Sequence, residues 1–159
     1  MSRDDVQASP KLRRSIVMGL ALSRDPESVQ TVVGIAEHDP DHKVRLRAMA
    51  GLGVLGDRST VPFLAHTLEH ASDVGIKLHA IGALAHTFAN DAVRPLIAAL
   101  EDSSAMVRTA AADALVQIGD PAAMSAIDAA RRRAWNPYVR LSLRDALRRM
   151  RTSASPNRA

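Results

Sequence analysis

The side chains able to do chemistry are few and unevenly placed. There are six histidines, His38, His42, His66, His70, His79 and His86, and no cysteine. Without a thiol the chain has no disulfide, no thiolate metal ligand and no cysteine nucleophile, which fits a reducing compartment. His66 and His70 are four residues apart, a spacing that puts two imidazoles on one face of a helix. His38 and His70 each follow an acid, Glu37 and Glu69, and stand 32 residues apart. If the fold brings them together, His38, His66, His70 and Glu69 offer the ligand types of a zinc or other transition-metal site. The competing reading leaves them as solvated polar groups at helix ends, with His70 near a C-terminus where the dipole favours a cation.

Other chemical signatures are absent. The chain has no glycine-rich phosphate loop, no His-Glu-x-x-His and no Gly-x-Ser-x-Gly elbow. No catalytic residue and no cofactor are therefore expected. The cations, by contrast, cluster. Residues 1–70 carry nine basic and nine acidic groups, 71–130 three and seven, and 131–159 nine and one, so the net charge of +4 sits at the C-terminal end. Arg131, Arg132 and Arg133 precede two aromatics, Trp135 and Tyr138, and Arg140, Arg144 and Arg148 then recur every four residues as one helical stripe. Clustered arginine suits phosphate and carboxylate alike, so a nucleic-acid backbone or an acidic protein patch would fit. A polar end that keeps a helical stack soluble is the structural alternative.

The elements that must position these groups emerge from an internal repeat. An apolar-basic pair recurs as Leu12-Arg13, Val44-Arg45, Ile76-Lys77, Val107-Arg108 and Val139-Arg140, at spacings of 32, 32, 31 and 32. Four residues on come Ile16, Ala48, Ala80, Ala111 and Leu143; eight on come Leu20, Leu52, Leu84, Leu115 and Leu147. Seven on, the residue is always small: Gly19, Gly51, Ala83, Ala114 and Ala146. These offsets trace one stripe of an amphipathic helix, with a small residue where a neighbouring helix comes close. A second stripe follows in each unit: Val29, Val32 and Ala36; Val61, Leu64 and Leu68; Val93, Leu96 and Leu100; then Met124, Ile127 and, breaking the pattern, Arg131. Helix starts are expected at Asp25-Pro26, Asp39-Pro40, Asp120-Pro121 and Asn136-Pro137, where a capping side chain precedes a proline.

The pattern Val44-Arg45, Ala48, Gly51-Leu52, Gly56-Asp57, repeated at Val107-Arg108, Ala111, Ala114-Leu115, Gly119-Asp120, resembles the HEAT-like repeats of the phycobilin-lyase type. The resemblance covers about residues 10–150 and implies an all-α fold: a short right-handed α–α solenoid of about four and a half helical hairpins. Its units would be 10–38, 39–70, 71–102, 103–134 and a half unit 135–151, between a flexible N-terminus 1–9 and a flexible tail 152–159. Deoxyhypusine hydroxylases, which share this repeat type, bind iron through His-Glu pairs two and three positions after the anchor. Here those positions hold Leu46-Arg47 and Leu78-His79, so that activity is not expected. Phycobilin lyase subunits are matched in scaffold residues only, and HEAT-like DNA glycosylases are larger.

Such solenoids are expected to present their second helices on the concave side and to bind there. The candidate contacts are Ile35, Phe63, His66, Thr67, His70, Arg94, Ala98 and Ala99, joined at the C-terminal end by Trp135, Tyr138, Arg140, Arg144 and Arg148. A groove rich in alanine suits an extended peptide or a partner helix. With 159 residues, 47% of them hydrophobic, 3% aromatic and 28 alanine, the chain is one globular domain with a core of small side chains. No apolar run approaches the roughly 20 residues that span a bilayer, and the N-terminus lacks a signal-peptide pattern, so a cytoplasmic location is expected. The function that follows is a non-catalytic interaction or scaffold module for a protein or peptide, with self-association through the unpaired last helix as a further expectation. The alternatives are an accessory or catalytic subunit with a small-molecule pocket at His66 and His70, and nucleic-acid backbone binding by the basic end.

Overall fold

A computed structural model describes residues 9–153. These residues form an all-α solenoid without strands, built from α1 (Pro10–Ser23), α2 (Pro26–His38), α3 (His42–Leu55), α4 (Val61–His70), α5 (Val74–Thr87), α6 (Val93–Ala99), α7 (Ala105–Ile118), α8 (Ala123–Arg133) and α9 (Pro137–Ser153). Each even-numbered helix packs against the odd-numbered one that follows it, and α9 closes the array against both α7 and α8. The terminal extensions expected from sequence lie outside the described residues for the most part, but Ser9 caps α1 and Thr152 and Ser153 belong to α9.

The predicted small-residue stripe is where the units meet. Val44, Ala48, Gly51 and Leu52 are buried, as are Ala80, Ala83 and Leu84, then Val107, Ala111, Ala114 and Leu115, then Val139, Leu143, Ala146 and Leu147. A Cβ added to Gly51 would lie 3.3 Å from the Cβ of Ala21 and 3.4 Å from Val17, and one added to Gly53 would lie 3.4 Å from the Cα of Ala83. The odd-numbered helices therefore pack closely along the whole array, while α2, α4, α6 and α8 touch one another sparsely. The closely packed odd-numbered helices form one layer, here called the inner one, and the splayed second helices form the outer one.

Four local expectations change. In α1 the buried residues are Val17 and Ala21, whereas Leu12 and Ile16 are 53% and 46% exposed. This helix ends the array, so no described unit covers the side on which the repeat would place them. In the fourth unit the buried residues of α8 are Ala123, Ile127 and Ala130, which moves the stripe one residue back and frees Arg131 to pair with Asp128. Asp25 and Asn136 do cap α2 and α9, accepting backbone N–H groups at 3.0 and 2.9 Å. Asp39-Pro40 does not start a helix: α3 begins at His42 under an Asp41 cap, and Asp120-Pro121 opens a turn ahead of α8.

Asp39 is instead the joint between units. Its carboxylate accepts Arg13 Nε at 2.7 Å and Nη2 at 3.0 Å, and the Asp41 N–H at 2.9 Å, while its carbonyl accepts Arg45 Nη1 at 2.8 Å. Asp102 repeats the arrangement: its carboxylate accepts Lys77 Nζ at 2.6 Å and the Ser104 N–H at 2.8 Å, and its carbonyl accepts Arg108 Nη1 at 2.6 Å. At the other two joints the residue is Ala71 or Ala134, and only the helix-closing backbone bond remains in common. The hydrogen bond from Arg13 holds the Asp39 carboxyl below its ordinary range. At Asp102 burial pushes the other way, but the bonds from Lys77 and the Ser104 amide outweigh it, and the carboxyl is again lowered.

Two predictions follow from this packing and these joints. Gly51→Leu should cost about 1–3 kcal/mol by overpacking against Val17 and Ala21, whereas Gly34→Ala, inside α2 with nothing within 4 Å of the added Cβ, should add roughly 0.5–1 kcal/mol; urea unfolding measures both. Because the native pKa values of Asp39 and Asp102 are lowered, their stabilisation is complete above the unfolded value of about 3.9 and is lost as pH falls through the native values. Asp39→Asn with Asp102→Asn should therefore be less stable than wild type at pH 7 and lose less stability on acidification below about pH 4, as read from thermal midpoints across that range.

Candidate functional site

The surface apolar residues divide between the two layers unequally. Among the described residues, nine large hydrophobic side chains are exposed, of which Leu12, Ile16, Leu22, Val54, Met106, Tyr138 and Leu141 lie on odd-numbered helices. None lies on α2, α4, α6 or α8; the remaining two are Phe88, which closes α5, and Trp135, in the segment before α9. Two adjoining grooves run over this face. The first, about 460 Å³, lies between α1 and α3 and is lined by Lys11, Arg14, Ser15, Lys43, Leu46, Arg47 and Ala50, with His79 of α5. The second, about 430 Å³, lies between α3 and α5; it shares Ala50 and His79 and adds Met49, Gly53, Val54, Leu78, Gly82, Ala83 and His86, with Arg24 from the end of α1.

The second-helix layer holds a different groove. About 450 Å³ opens between α4 and α6, lined by Ala65, His66, Leu68, Glu69, Pro95, Ala98, Ala99, Glu101 and Asp102. Of its three acids, Asp102 is paired with Lys77 and Glu101 with Arg133, which leaves Glu69 beside His66. Of the contacts expected there, His66, Ala98 and Ala99 do line it, and Arg94 is exposed. Ile35 and Phe63 are half-buried against the core instead, and the Thr67 hydroxyl donates to the Phe63 carbonyl of its own helix at 2.9 Å. The His66 and His70 rings stack with centroids 4.3 Å apart, and His70 Nδ1 lies 3.0 Å from the His66 carbonyl oxygen.

The convergence of His38 with His66, His70 and Glu69 does not occur. His38 is 3.5 Å from Glu37 on its own helix, and no group of three histidines or acids among the described residues is placed to hold a metal ion. The splaying of α2 from α4 is the reason: equal offsets in successive units converge only in the closely packed layer.

The C-terminal arginine stripe is split by its partners. Arg140 donates Nε and Nη2 to the Ala134 carbonyl at 3.1 and 2.7 Å, the joint-bracing role that Arg45 and Arg108 play in their units. Arg149 pairs with Asp113, Arg133 with Glu101, and Arg131 and Arg132 with Asp128. Arg144, 3.8 Å from Asp145, and Arg148 join Arg131, Arg151 and Asp128 around a groove of about 710 Å³ between α8 and α9. Trp135 and Tyr138 stand 81% and 70% exposed. Sequence reasoning missed Lys11, Arg14 and Lys43 altogether. For Lys11 and Lys43 a signal was available in the repeat register, since both stand immediately before their anchors.

The family model for HEAT repeats matches residues 5–85 and 61–148, and the chain belongs to that family. No curated protein matches it. Among solved structures it is similar to human deoxyhypusine hydroxylase in complex with glycerol, at 17% identity over 92% of this chain and 82% of that one, with a TM-score of 0.36.

The split of the arginine stripe predicts different costs for its members. Arg140→Ala should lower stability by about 1 kcal/mol through loss of two charge-assisted bonds, whereas Arg148→Ala, which has no ion pair among the described residues, should stay within about 0.5 kcal/mol of wild type. Denaturant midpoints at constant m-value test both.

Proposed function

We propose that this chain is a non-catalytic interaction module that holds a protein or peptide partner against the face of its odd-numbered helices. The observation that supports this reading is the confinement of exposed large apolar side chains to that layer and the helix-linking segments, with none on the even-numbered helices. A solenoid contacts its partners through an extended surface whose curvature is set by the repeat, and exposed apolar side chains rimmed by polar ones are what a recognition surface offers. The helical-repeat family is itself consistent with an interaction scaffold. Nothing in the groove between α4 and α6 supports the small-molecule alternative as well, because the His70 ring is turned onto its own helix and only His66 faces the space. No described helix is long and apolar enough to cross a membrane.

The test is site-specific crosslinking in the native cell. A photoreactive residue at Ala50 or Leu141, on the inner layer, should yield protein adducts identifiable by mass spectrometry, and the same residue at Arg94, on the outer layer, should not. Adducts confined to Arg94, or nucleic acid recovered at Ala50 and Leu141 in place of protein, would overturn the reading.

A further inference from the structure

Many of the cations among the described residues are engaged. Arg13, Lys77, Arg131, Arg132, Arg133 and Arg149 each meet a carboxylate, and Arg45, Arg108 and Arg140 each brace a carbonyl. Of those that are not, Lys11 and Arg14 on α1 and Lys43 and Arg47 on α3 come together. They line one groove together, no acid lines it with them, and none of the four makes an ion pair or side-chain hydrogen bond among the described residues. Four like charges on facing helices repel one another, and an anion seated between them would turn that repulsion into attraction.

We propose that this groove is an anion site that receives the carboxylate-rich end of a partner's peptide segment, whose apolar continuation runs on into the groove between α3 and α5. This rests on the reading of the inner layer as the interaction face and names the chemistry of what it binds. The two grooves share Ala50 and His79, so one chain can occupy both. Beyond His79 the lining turns to Met49, Val54, Leu78 and glycine, with Arg24 the one cation among them. Further along, the positions equivalent to Ala50 and Gly82, six residues after each anchor, hold Asp113 and Asp145. Neighbouring packed helices lie about 8–10 Å apart, so the cations gather at the start of the array and thin out along it. A nucleic-acid strand carries a charge on every nucleotide and would meet apolar side chains and then carboxylates as it crossed the array. A segment acidic at one end and apolar at the other matches the surface along its length.

Fluorescence anisotropy on the full chain tests this with three labelled probes: a peptide of four glutamates followed by Leu-Ala-Leu, a peptide of the same composition with the glutamates dispersed, and an oligothymidylate of equal charge. The block peptide should bind saturably, at least tenfold more tightly than the other two, and more weakly as salt is added. Arg14→Glu with Arg47→Glu should weaken it at least tenfold, while Arg144→Glu with Arg148→Glu should leave it unchanged. Circular dichroism checks that the variants fold, and Arg14→Gln with Arg47→Gln replaces the charge reversal if that variant does not. Absence of saturable binding, indifference to the α1 and α3 substitutions, or tighter binding of the oligothymidylate would each overturn the proposal. Protein crosslinks at Ala50 and Leu141 combined with no block-peptide binding would discard the anion site and leave the interaction face standing.

Discussion

Neighbouring odd-numbered helices approach so closely that a single methyl group on Gly51 would already press on Ala21 and Val17, and the rest of the molecule is arranged around that approach. Small residues recur seven positions after each anchor from the second unit onward because a larger one would hold the helices apart. One layer is thus drawn together and the other left splayed. The same asymmetry produces both kinds of groove. Shallow channels lie over the closely packed layer, where side chains of adjacent helices meet, and a separate opening forms between α4 and α6, where they do not.

The joints between units add direction to this packing. At Asp39 and Asp102 a carboxylate is held from one side by a cation of the preceding unit, while a cation of the following unit braces the carbonyl. These carboxylates are largely withdrawn from solvent, so their removal would leave a cation without its partner, a larger loss than an exposed ion pair would represent. Ala71 and Ala134 occupy the alternate joints, where the first-helix cation has no carboxylate to reach. At the last joint, Arg140 still finds the Ala134 carbonyl. One consequence reaches the surface: cations engaged in joints are not available for binding, and those left over gather between α1 and α3 and between α8 and α9.

The inner layer therefore carries a graded surface. It is cationic at the N-terminal end, largely apolar with two imidazoles and Arg24 in the middle, and mixed toward α9, where Asp113 is matched by Arg149. The outer groove holds Glu69, Glu101 and Asp102 around His66, with Glu101 matched by Arg133 and Asp102 by Lys77.

Most of the architecture was legible in the residues themselves, because a helical repeat imposes its period on the sequence: the buried stripes of the middle units and the small residues where helices meet follow from spacings of 31 and 32. The site was much less legible. Periodicity reports which residues share a face of one helix, and so it could pair His66 with His70, but it says nothing of how far apart successive second helices stand, and His38 was accordingly placed in a cluster that does not form. Nor could spacing tell that Arg140 braces a carbonyl while Arg148 faces a groove, since both belong to one stripe. The sequence alone determined the repeat, the helices and the total charge. Tertiary structure decided which layer is drawn together, which cations are spent on joints and which remain in the groove, because those outcomes depend on distances between helices that local spacing does not contain.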